Sequence, residues 1–157
     1  MGEILIACDD LGLTGLWFLK QRYFARTLTN DALRQEDHPY LLEAKRWLKV
    51  YFSGEKPDFL PALHCEGTPF QKRVWNILLE VPYGSCTTYG DIARQIAREC
   101  GLSKFSAQAV GGAVGHNPVS IIIPCHRVVG ADGSLTGYAG GIERKMKLLQ
   151  MEGVIIA

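Results

Sequence analysis

The spacing of hydrophobic positions in the first third of the chain predicts short strands followed by one helix. Residues 3–24 carry brief apolar runs broken by acidic residues and glycines, which is typical of two or three strands joined by tight turns. Residues 38–54 show helical spacing with a terminal glycine as a stop. The apolar positions of that helix are Leu41, Ala44, Trp47, Leu48, Tyr51 and Phe52. Residues 55–67 lose this periodicity, so we assign an N-terminal α+β domain with its linker to residues 1–62.

The spacing of apolar residues predicts a mainly helical domain over the remaining residues, 63–157. Thr68 is a helix cap, with Pro69 at the first helical position and Gln71 at capping-box spacing. A second helix follows a threonine cap near residue 88, and a third is rich in alanine and glycine. The apolar face of the first helix consists of Phe70, Val74, Ile77 and Leu78. The apolar face of the second consists of Ile92, Ala93, Ile96 and Ala97.

The second and third of these helices form the pattern of a helix-turn-helix, whose second helix can lie in a DNA groove. An αα-hairpin without a DNA role has the same pattern. Each glycine of the third helix lowers the stability of that helix by about 1 kcal/mol relative to alanine. The presence of these glycines therefore needs an explanation. Such small side chains allow a groove wall to approach closely, and this favours the DNA-binding interpretation.

A run of three isoleucines ends on Pro124, and Cys125 and His126 follow it directly. The run predicts a buried strand, and the proline bends the chain so that Cys125 can face a pocket. A lone cysteine at such a place is more often core packing than a nucleophile. A thiol that reacts needs a base, which His126 can supply if an acid orients it. The C-terminal helix offers Glu143 and Glu152, and the sequence does not choose between them.

Composition narrows the classes of function. The formal net charge of +1 makes no general case for nucleic acid, so any DNA contact must use a local surface. Five cysteines without a CxxC pair indicate neither a disulfide framework nor a zinc site. The chain has no basic leader and no apolar run of about 20 residues, so we expect a cytoplasmic protein without a membrane partner. A cysteine hydrolase remains compatible with Cys125 and His126.

The motif "IPCHRVVG", preceded by "AVGGAVGHNP" and followed by "GYAGG" and a helix ending in Glu, resembles the methylated-DNA–protein-cysteine methyltransferases. These are the O6-alkylguanine-DNA alkyltransferases. The resemblance runs from about Thr68 to Gly153. The earlier residues match the family's variable N-terminal domain only in their general α+β character. It implies an α+β fold, in which a small ribonuclease-H-like α/β domain precedes a mainly helical domain. That second domain carries the helix-turn-helix and the active-site cysteine loop.

The resemblance also implies a role for each matching residue. Cys125 is the acceptor of the alkyl group, His126 deprotonates it through a water, and Glu152 orients His126. Asn117 bridges the recognition helix to the active-site segment, and Tyr89 gives the leaving guanine a proton or a hydrogen bond. The implied substrate-binding residues are Val128, Tyr138, Ala139, Gly140 and Gln108. The implied DNA-binding residues are Thr88, Ser106, Ala107, Gln108, Ala109, Gly112 and Gly115. Arg127 is implied to form a structural ion pair.

Three features depart from the family pattern. Gln108 stands where the best-known members carry an arginine that fills the gap left by the extruded base. Ala139 stands where a hydroxyl is common, which removes one contact to guanine O6. The turn "RECGLSKFS" between the two helices is longer than usual. The uncharged side chain of Gln108 predicts weaker extrusion.

The implied activity is irreversible, stoichiometric DNA repair on O6-alkylguanine in duplex DNA, without a cofactor or a metal. We expect a monomer that can cluster along DNA. A lesion-binding module of the same fold that does not transfer the alkyl group is the first alternative, and a Cys-His hydrolase is the second. The thiol at position 125, with His126 and Glu152 in register, favours catalysis.

Overall fold

Two antiparallel strands open the chain in the computed structural model, which describes residues 1–156. Strand β1 (Ile4–Cys8) pairs with β2 (Leu13–Phe18), and a bulge interrupts the register near their turn. The sequence predicted two or three strands over residues 3–24, and two form. The chain after β2 runs through turns instead, and three of its residues have positive φ: Lys20, Tyr23 and Ala25.

The free edge of β2 is occupied by later parts of the chain. Leu13 forms a bridge with Leu63, and Leu16 forms one with Val119. Two backbone hydrogen bonds, of 2.8 and 3.0 Å, hold the second bridge in place. The segment that leads to Cys125 is therefore fastened to the N-terminal hairpin, and one hydrophobic core extends through both halves of the chain.

Helix α1 (Pro39–Phe52) covers the hairpin and buries the apolar stripe that its spacing predicts. Helix α2 (Pro69–Glu80) begins at Thr68, where both bonds of the predicted capping box form. Its Trp75 donates the indole N–H to the carbonyl of Ala113 at 2.9 Å. A buried indole requires such a partner, and this bond ties α2 to a later helix.

The predicted helix-turn-helix is present. Strand β3 (Thr87–Thr88) leads into α3 (Tyr89–Glu99), and α4 (Ala107–Gly115) follows the turn. The long turn is anchored by Phe105, whose ring lies 5.3 Å from that of Phe70 on α2. Strand β3 pairs in parallel with β4 (Val128–Val129), and this pairing brings the start of α3 beside the cysteine segment.

The prediction of a buried strand at Ser120–Ile123 is wrong in conformation, although those residues are buried. Only Val119 bridges to another strand. Beyond it the chain coils, with Ile121 at φ 72° and a hydrogen bond of 2.8 Å from Ile122 N–H to the carbonyl of Ser120. Coiling directs successive isoleucines into one core, where an extended strand would alternate them between two faces.

A short 3-10 helix, Cys125–Arg127, follows the coiled segment, and helix α5 (Ile142–Met151) is the last regular element of the described chain. The fold is α+β with a mainly helical second half, as predicted, and the three tryptophans at 17, 47 and 75 lie in the core. Within residues 1–156, every helix is too short or too polar to cross a bilayer. The same residues hold no group of three or more His, Cys, Asp or Glu side chains placed to bind a metal ion.

Candidate active site

Glu152 is the centre of a buried hydrogen-bond network. His126 Nε2 lies 2.7 Å from its Oε1, and the Tyr51 hydroxyl donates to the same oxygen at 2.9 Å. Arg127 donates from Nε to Oε2 and from Nη2 to Oε1, each at 2.9 Å. The backbone N–H of Gly84 donates to Oε2 at 3.3 Å. Of the two candidate acids, the structure brings Glu152 to His126, and Glu143 is exposed at the start of α5.

The hydrogen-bond network determines the protonation states of Glu152 and His126. Burial acts to raise the pKa of Glu152, but hydrogen bonds from His126 and Arg127 outweigh it and hold the pKa at about 2. Burial lowers the pKa of His126 below its usual 6.5, against the opposing effect of Glu152. The carboxylate is therefore charged and the imidazole neutral at pH 7. Because Nε2 faces the carboxylate it carries the proton, which leaves Nδ1 as an acceptor.

Nδ1 of His126 is buried and has no hydrogen-bond partner among residues 1–156. A buried polar atom without a partner in the protein is uncommon, and catalytic groups are among the recognised cases. The ring is fixed at its opposite nitrogen by Glu152, so its basic atom is held ready to take a proton.

Cys125, which the sequence predicts as the nucleophile, is buried beside a cavity. It is 5% exposed and lies on the wall of a cavity of about 430 Å³. Burial raises the pKa of its thiol, and the nearby Asn117 amide and Lys145 ammonium group oppose that effect only in part. The resting side chain is therefore a neutral thiol at pH 7. Its reaction as a thiolate needs a base, and His126, the next residue in the sequence, has an Nδ1 without a partner among residues 1–156.

Asn117 fixes the shape of the segment between α4 and the cysteine. Its Nδ2 donates to the carbonyl of Ile123 at 2.8 Å, and its Oδ1 accepts the N–H of Val119 at 3.0 Å. Asn117 follows the end of α4, so its side chain links the end of that helix to the coiled segment before Cys125. The bridging role that the resemblance implies for this residue stays a prediction.

Tyr89 and Lys145 both bind backbone carbonyls of the cavity lining. The hydroxyl of Tyr89, the first residue of α3, donates to the carbonyl of Thr136 at 3.0 Å. Lys145 of α5 is buried and donates from Nζ to the carbonyls of Thr136 at 3.0 Å and Gly137 at 3.3 Å. Burial raises the pKa of Tyr89, so its hydroxyl keeps its proton. Tyr89 therefore lines the cavity with a protonated hydroxyl that is bound to the Thr136 carbonyl.

The residues implied to bind the substrate fall into two groups. Tyr138 and Ala139 line the cavity, and the hydroxyl of Tyr138 is enclosed with no partner in the described chain. Val128 and Gly140 lie behind the lining. Val128 is fully buried in β4, and a Cβ added to Gly140 would lie 2.7 Å from the Tyr138 ring. Gln108 also lies outside the cavity wall, on the exposed first turn of α4.

Helix α4 presents small, uncharged residues to solvent. The residues implied to contact DNA that are exposed there are Ser106, Ala107, Gln108, Ala109 and Gly112, and Gly115 is half-buried. Two of the implied contacts also serve as helix caps, since Ser106 accepts the N–H of Ala109 and Thr88 accepts that of Asp91. A Cβ added at Gly112 or Gly115 would meet no atom within 4 Å. Packing inside the protein therefore does not require glycine at either position.

Sequence reasoning missed Tyr51 and Lys145. Tyr51 was counted as an apolar position of α1, although a buried tyrosine hydroxyl normally needs a partner. Lys145 shares a helix face with Leu148 and Leu149, the two buried leucines of α5. A lysine on an apolar face is a signal for a buried ammonium group with carbonyl partners.

Two family models match the chain. The model described as "6-O-methylguanine DNA methyltransferase, DNA binding domain" matches residues 69–154, and the "ribonuclease-like domain" model of the same enzymes matches residues 1–62. The chain belongs to the 6-O-methylguanine DNA methyltransferase family. It is 53% identical over 153 residues to a methylated-DNA–protein-cysteine methyltransferase of Mycobacterium bovis, with 97% of this chain and 87% of the relative covered. A relative from Methanosarcina acetivorans is 44% identical over 153 residues, with 98% and 93% covered.

Solved structures of this family superpose on the fold. The crystal structure of Mycobacterium tuberculosis OGT in complex with DNA matches with a TM-score of 0.79 at 43% identity, covering 95% of this chain and 85% of that one. An O6-methylguanine DNA methyltransferase from Methanococcus jannaschii matches with a TM-score of 0.68 at 30% identity, covering 98% and 90%. The helix-turn-helix and the cysteine segment thus belong to a known architecture.

Proposed function

We propose that this chain repairs DNA by transferring the alkyl group of O6-alkylguanine, chiefly methyl, to Cys125. The observation that carries the proposal is the buried thiol on the wall of a cavity of about 430 Å³, next to a neutral histidine held by an ionised Glu152. That volume is typical of a site for a small ligand such as one base. The thiol, the base and its orienting acid are the parts that a nucleophilic displacement needs.

The displacement is one step in which a C–S bond forms as a C–O bond breaks. Nδ1 of His126 takes the thiol proton through a water, and the imidazolium that forms is stabilised by Glu152. The Cys125 thiolate then attacks the alkyl carbon, and the electrons of the C–O bond remain on the guanine. The product is a thioether, which is a stable bond. One chain therefore repairs one lesion.

Tyr89 serves the leaving group. A guanine anion leaves poorly, so a proton or a hydrogen bond delivered during the step lowers the barrier. The Tyr89 hydroxyl lies on the cavity wall and keeps its proton at neutral pH. It is bound to the Thr136 carbonyl in the free protein, and Lys145 also donates to that carbonyl. Tyr89 can therefore turn to the guanine while Thr136 keeps a donor.

Duplex DNA binds along α4. A target atom stacked in a duplex becomes accessible only when its nucleotide is extruded, at a cost of a few kcal/mol. The open space beside Gly112 and Gly115 allows a minor-groove wall to approach the helix backbone. Five residues of α4 and its cap also line the cavity: Gly111, Gly112, Val114, Gly115 and His116. A nucleotide extruded at α4 therefore has a short path to Cys125.

The repair unit is one chain in a reducing compartment. The site is built from residues of a single copy, which suits a monomer on each lesion. The cysteines at 8, 65, 86, 100 and 125 are free thiols, and free thiols persist in the cytoplasm.

Intact-protein and peptide mass spectrometry tests the proposal. The protein is mixed with a duplex that carries one O6-methylguanine, beside a Cys125→Ser control. We expect one added methyl group per chain, on the peptide that contains Cys125, and none in the control. Binding of the damaged duplex without transfer would establish a lesion-binding module instead. Continued turnover of excess substrate would establish a hydrolase.

A further inference from the structure

A cluster of cationic and aromatic side chains lies at the rim of the cavity, and we call its four residues, Arg22, Tyr23, Arg26 and His116, the rim cluster. The Tyr23 ring stacks on the imidazole of His116, with centroids 4.2 Å apart and planes 24° apart. The guanidinium carbons of Arg22 and Arg26 lie 5.1 and 5.9 Å from the centroid of the Tyr23 ring. Both distances are within the range of cation–π attraction.

The rim cluster joins the segment after β2 to the end of α4. Arg22, Tyr23 and His116 line the cavity that Cys125 borders, and His116 caps the C-terminus of α4. The backbone N–H of Arg22 donates to the carbonyl of Ala139, also on the cavity wall, at 3.1 Å. Arg22 is the one lysine or arginine among the residues that line this cavity.

The two arginines of the rim cluster have charges available for an external partner. Both side chains are exposed, and neither forms a salt bridge within residues 1–156. Their positions are nevertheless restrained, because both guanidinium groups lie against one ring that is itself held by His116. A restrained guanidinium loses less entropy when it binds an anion.

An extruded nucleotide brings two negative charges to this rim, since it stays connected to the strand through its 5′ and 3′ phosphates. The exposed face of α4 between Ala107 and Gly112 contains no charged side chain, and Gln108 stands where family members carry an arginine. This face of α4 therefore offers those phosphates no cation. Arg22 lines the cavity, and Arg26 lies against the same tyrosine ring as Arg22.

We propose that the rim cluster binds the backbone phosphates that flank the extruded nucleotide. This inference rests on the proposed function. It assigns the segment after β2, in the N-terminal half of the chain, a direct part in DNA binding. Phosphate contacts carry no sequence information, which suits repair of a lesion in any sequence context.

Duplex affinity and its salt dependence test this inference. The variants are Arg22→Gln, Arg26→Gln and the double variant, each in a Cys125→Ala background, so that binding is measured without transfer. Lys45→Gln is the control, because Lys45 is an exposed cation on α1, outside the cavity lining. The probe is a duplex that carries one O6-methylguanine. Each phosphate contact contributes about 0.9 to the slope of log Kd against log salt concentration.

We expect each arginine variant to weaken duplex binding about tenfold and to reduce the salt slope by about one, while Lys45→Gln changes neither. With Cys125 restored, we expect Arg26→Gln, which lies outside the cavity lining, to react with free O6-benzylguanine, which has no phosphate, at the parental rate. Unchanged duplex affinity and slope, or an equal loss on free base and duplex, would overturn the inference. If the parent protein transfers nothing to Cys125, the proposed function fails, and the affinity and the slope still decide the role of the rim cluster.

Discussion

The hydroxyl of Tyr51 donates to Oε1 of Glu152 at 2.9 Å, and this oxygen also accepts from His126. Tyr51 belongs to α1, so the N-terminal half of the chain contributes a group to the buried network behind the nucleophile. The Trp47 ring stacks on the Tyr51 ring, with centroids 5.2 Å apart, and holds it in place. Burial, together with the charge of Glu152, raises the pKa of Tyr51 far above its ordinary value. The hydroxyl therefore remains a donor at every pH at which the protein is folded.

Tyr51→Phe removes this donor while keeping the ring. We expect the free energy of unfolding to fall by about 1–3 kcal/mol, because a buried carboxylate oxygen loses a hydrogen bond. We also expect slower methyl transfer with a shifted pH–rate profile, since Glu152 orients the His126 base. Denaturant melts and single-turnover rates from pH 5 to 9 measure both effects. Tyr40→Phe removes a hydroxyl elsewhere on α1 and is the control. A loss of stability with an unchanged pH–rate profile would limit Tyr51 to a structural role.

Glu152→Gln removes the charge that pairs with Arg127 and orients His126. We expect transfer to slow about 100-fold or more, and stability to fall by about 3–5 kcal/mol because Arg127 is left buried and unpaired. Glu143→Gln, on the exposed start of α5, is the matched control and should keep both properties. Parental activity in Glu152→Gln would assign the orientation of His126 to another group.

Stability should also depend on pH through Glu152 and His126. The pKa of Glu152 is about 2 in the folded protein, against an ordinary value of 4.5. Below 4.5 the unfolded state therefore binds more protons than the folded state, and the stabilisation is lost as the pH falls from 4.5 toward 2. His126, whose pKa burial lowers, contributes in the same direction below about 6.5. Urea midpoints measured from pH 7 to pH 3 should fall steadily, and less steeply in Glu152→Gln.

The sequence was sufficient to predict the parts of the site that depend on local patterns. The helix cap at Thr68 and the cysteine motif are each coded within about ten residues, and the helix-turn-helix lies in one continuous segment from Thr88 to Gly115. The coiled conformation of Ser120–Ile123 was missed because two long-range effects decide it. One is the Asn117 side chain, which occupies the backbone groups of the segment, and the other is the core, which receives all three isoleucines.

Contacts between segments that lie far apart in the sequence were also not predicted by the sequence patterns. The bond between Tyr51 and Glu152 spans 101 residues, and the stacking of Tyr23 on His116 joins the end of the hairpin to the end of α4. Periodicity assigns a residue to a face of its own helix and does not identify the element that covers it. The pairing of β2 with the segment before Cys125 and the shared core bring the two halves of the chain together.

Gly112→Ala should raise the stability of the protein and weaken its binding to duplex DNA. The added Cβ meets no atom within 4 Å in the free protein, and alanine favours a helix over glycine by about 1 kcal/mol. We therefore expect a higher melting temperature. We expect weaker duplex binding at the same time, because the methyl group stands on the face of α4 that approaches the groove. Thermal melts and duplex titrations measure the two effects, and unchanged or tighter duplex binding would show that the groove does not approach α4 at this position.

Gln108→Arg tests how this chain extrudes its target. Gln108 is exposed on the first turn of α4, away from the cavity wall, so its side chain can act on a duplex but not on a base already in the site. An arginine there has a longer reach and a charge, and it can hold the gap left by the extruded base. We expect faster transfer from O6-methylguanine in duplex DNA and an almost unchanged rate on free O6-benzylguanine. Gln108→Ala should slow the duplex reaction alone. Equal gains on both substrates would mean that the arginine acts on chemistry, and the extrusion argument would fail.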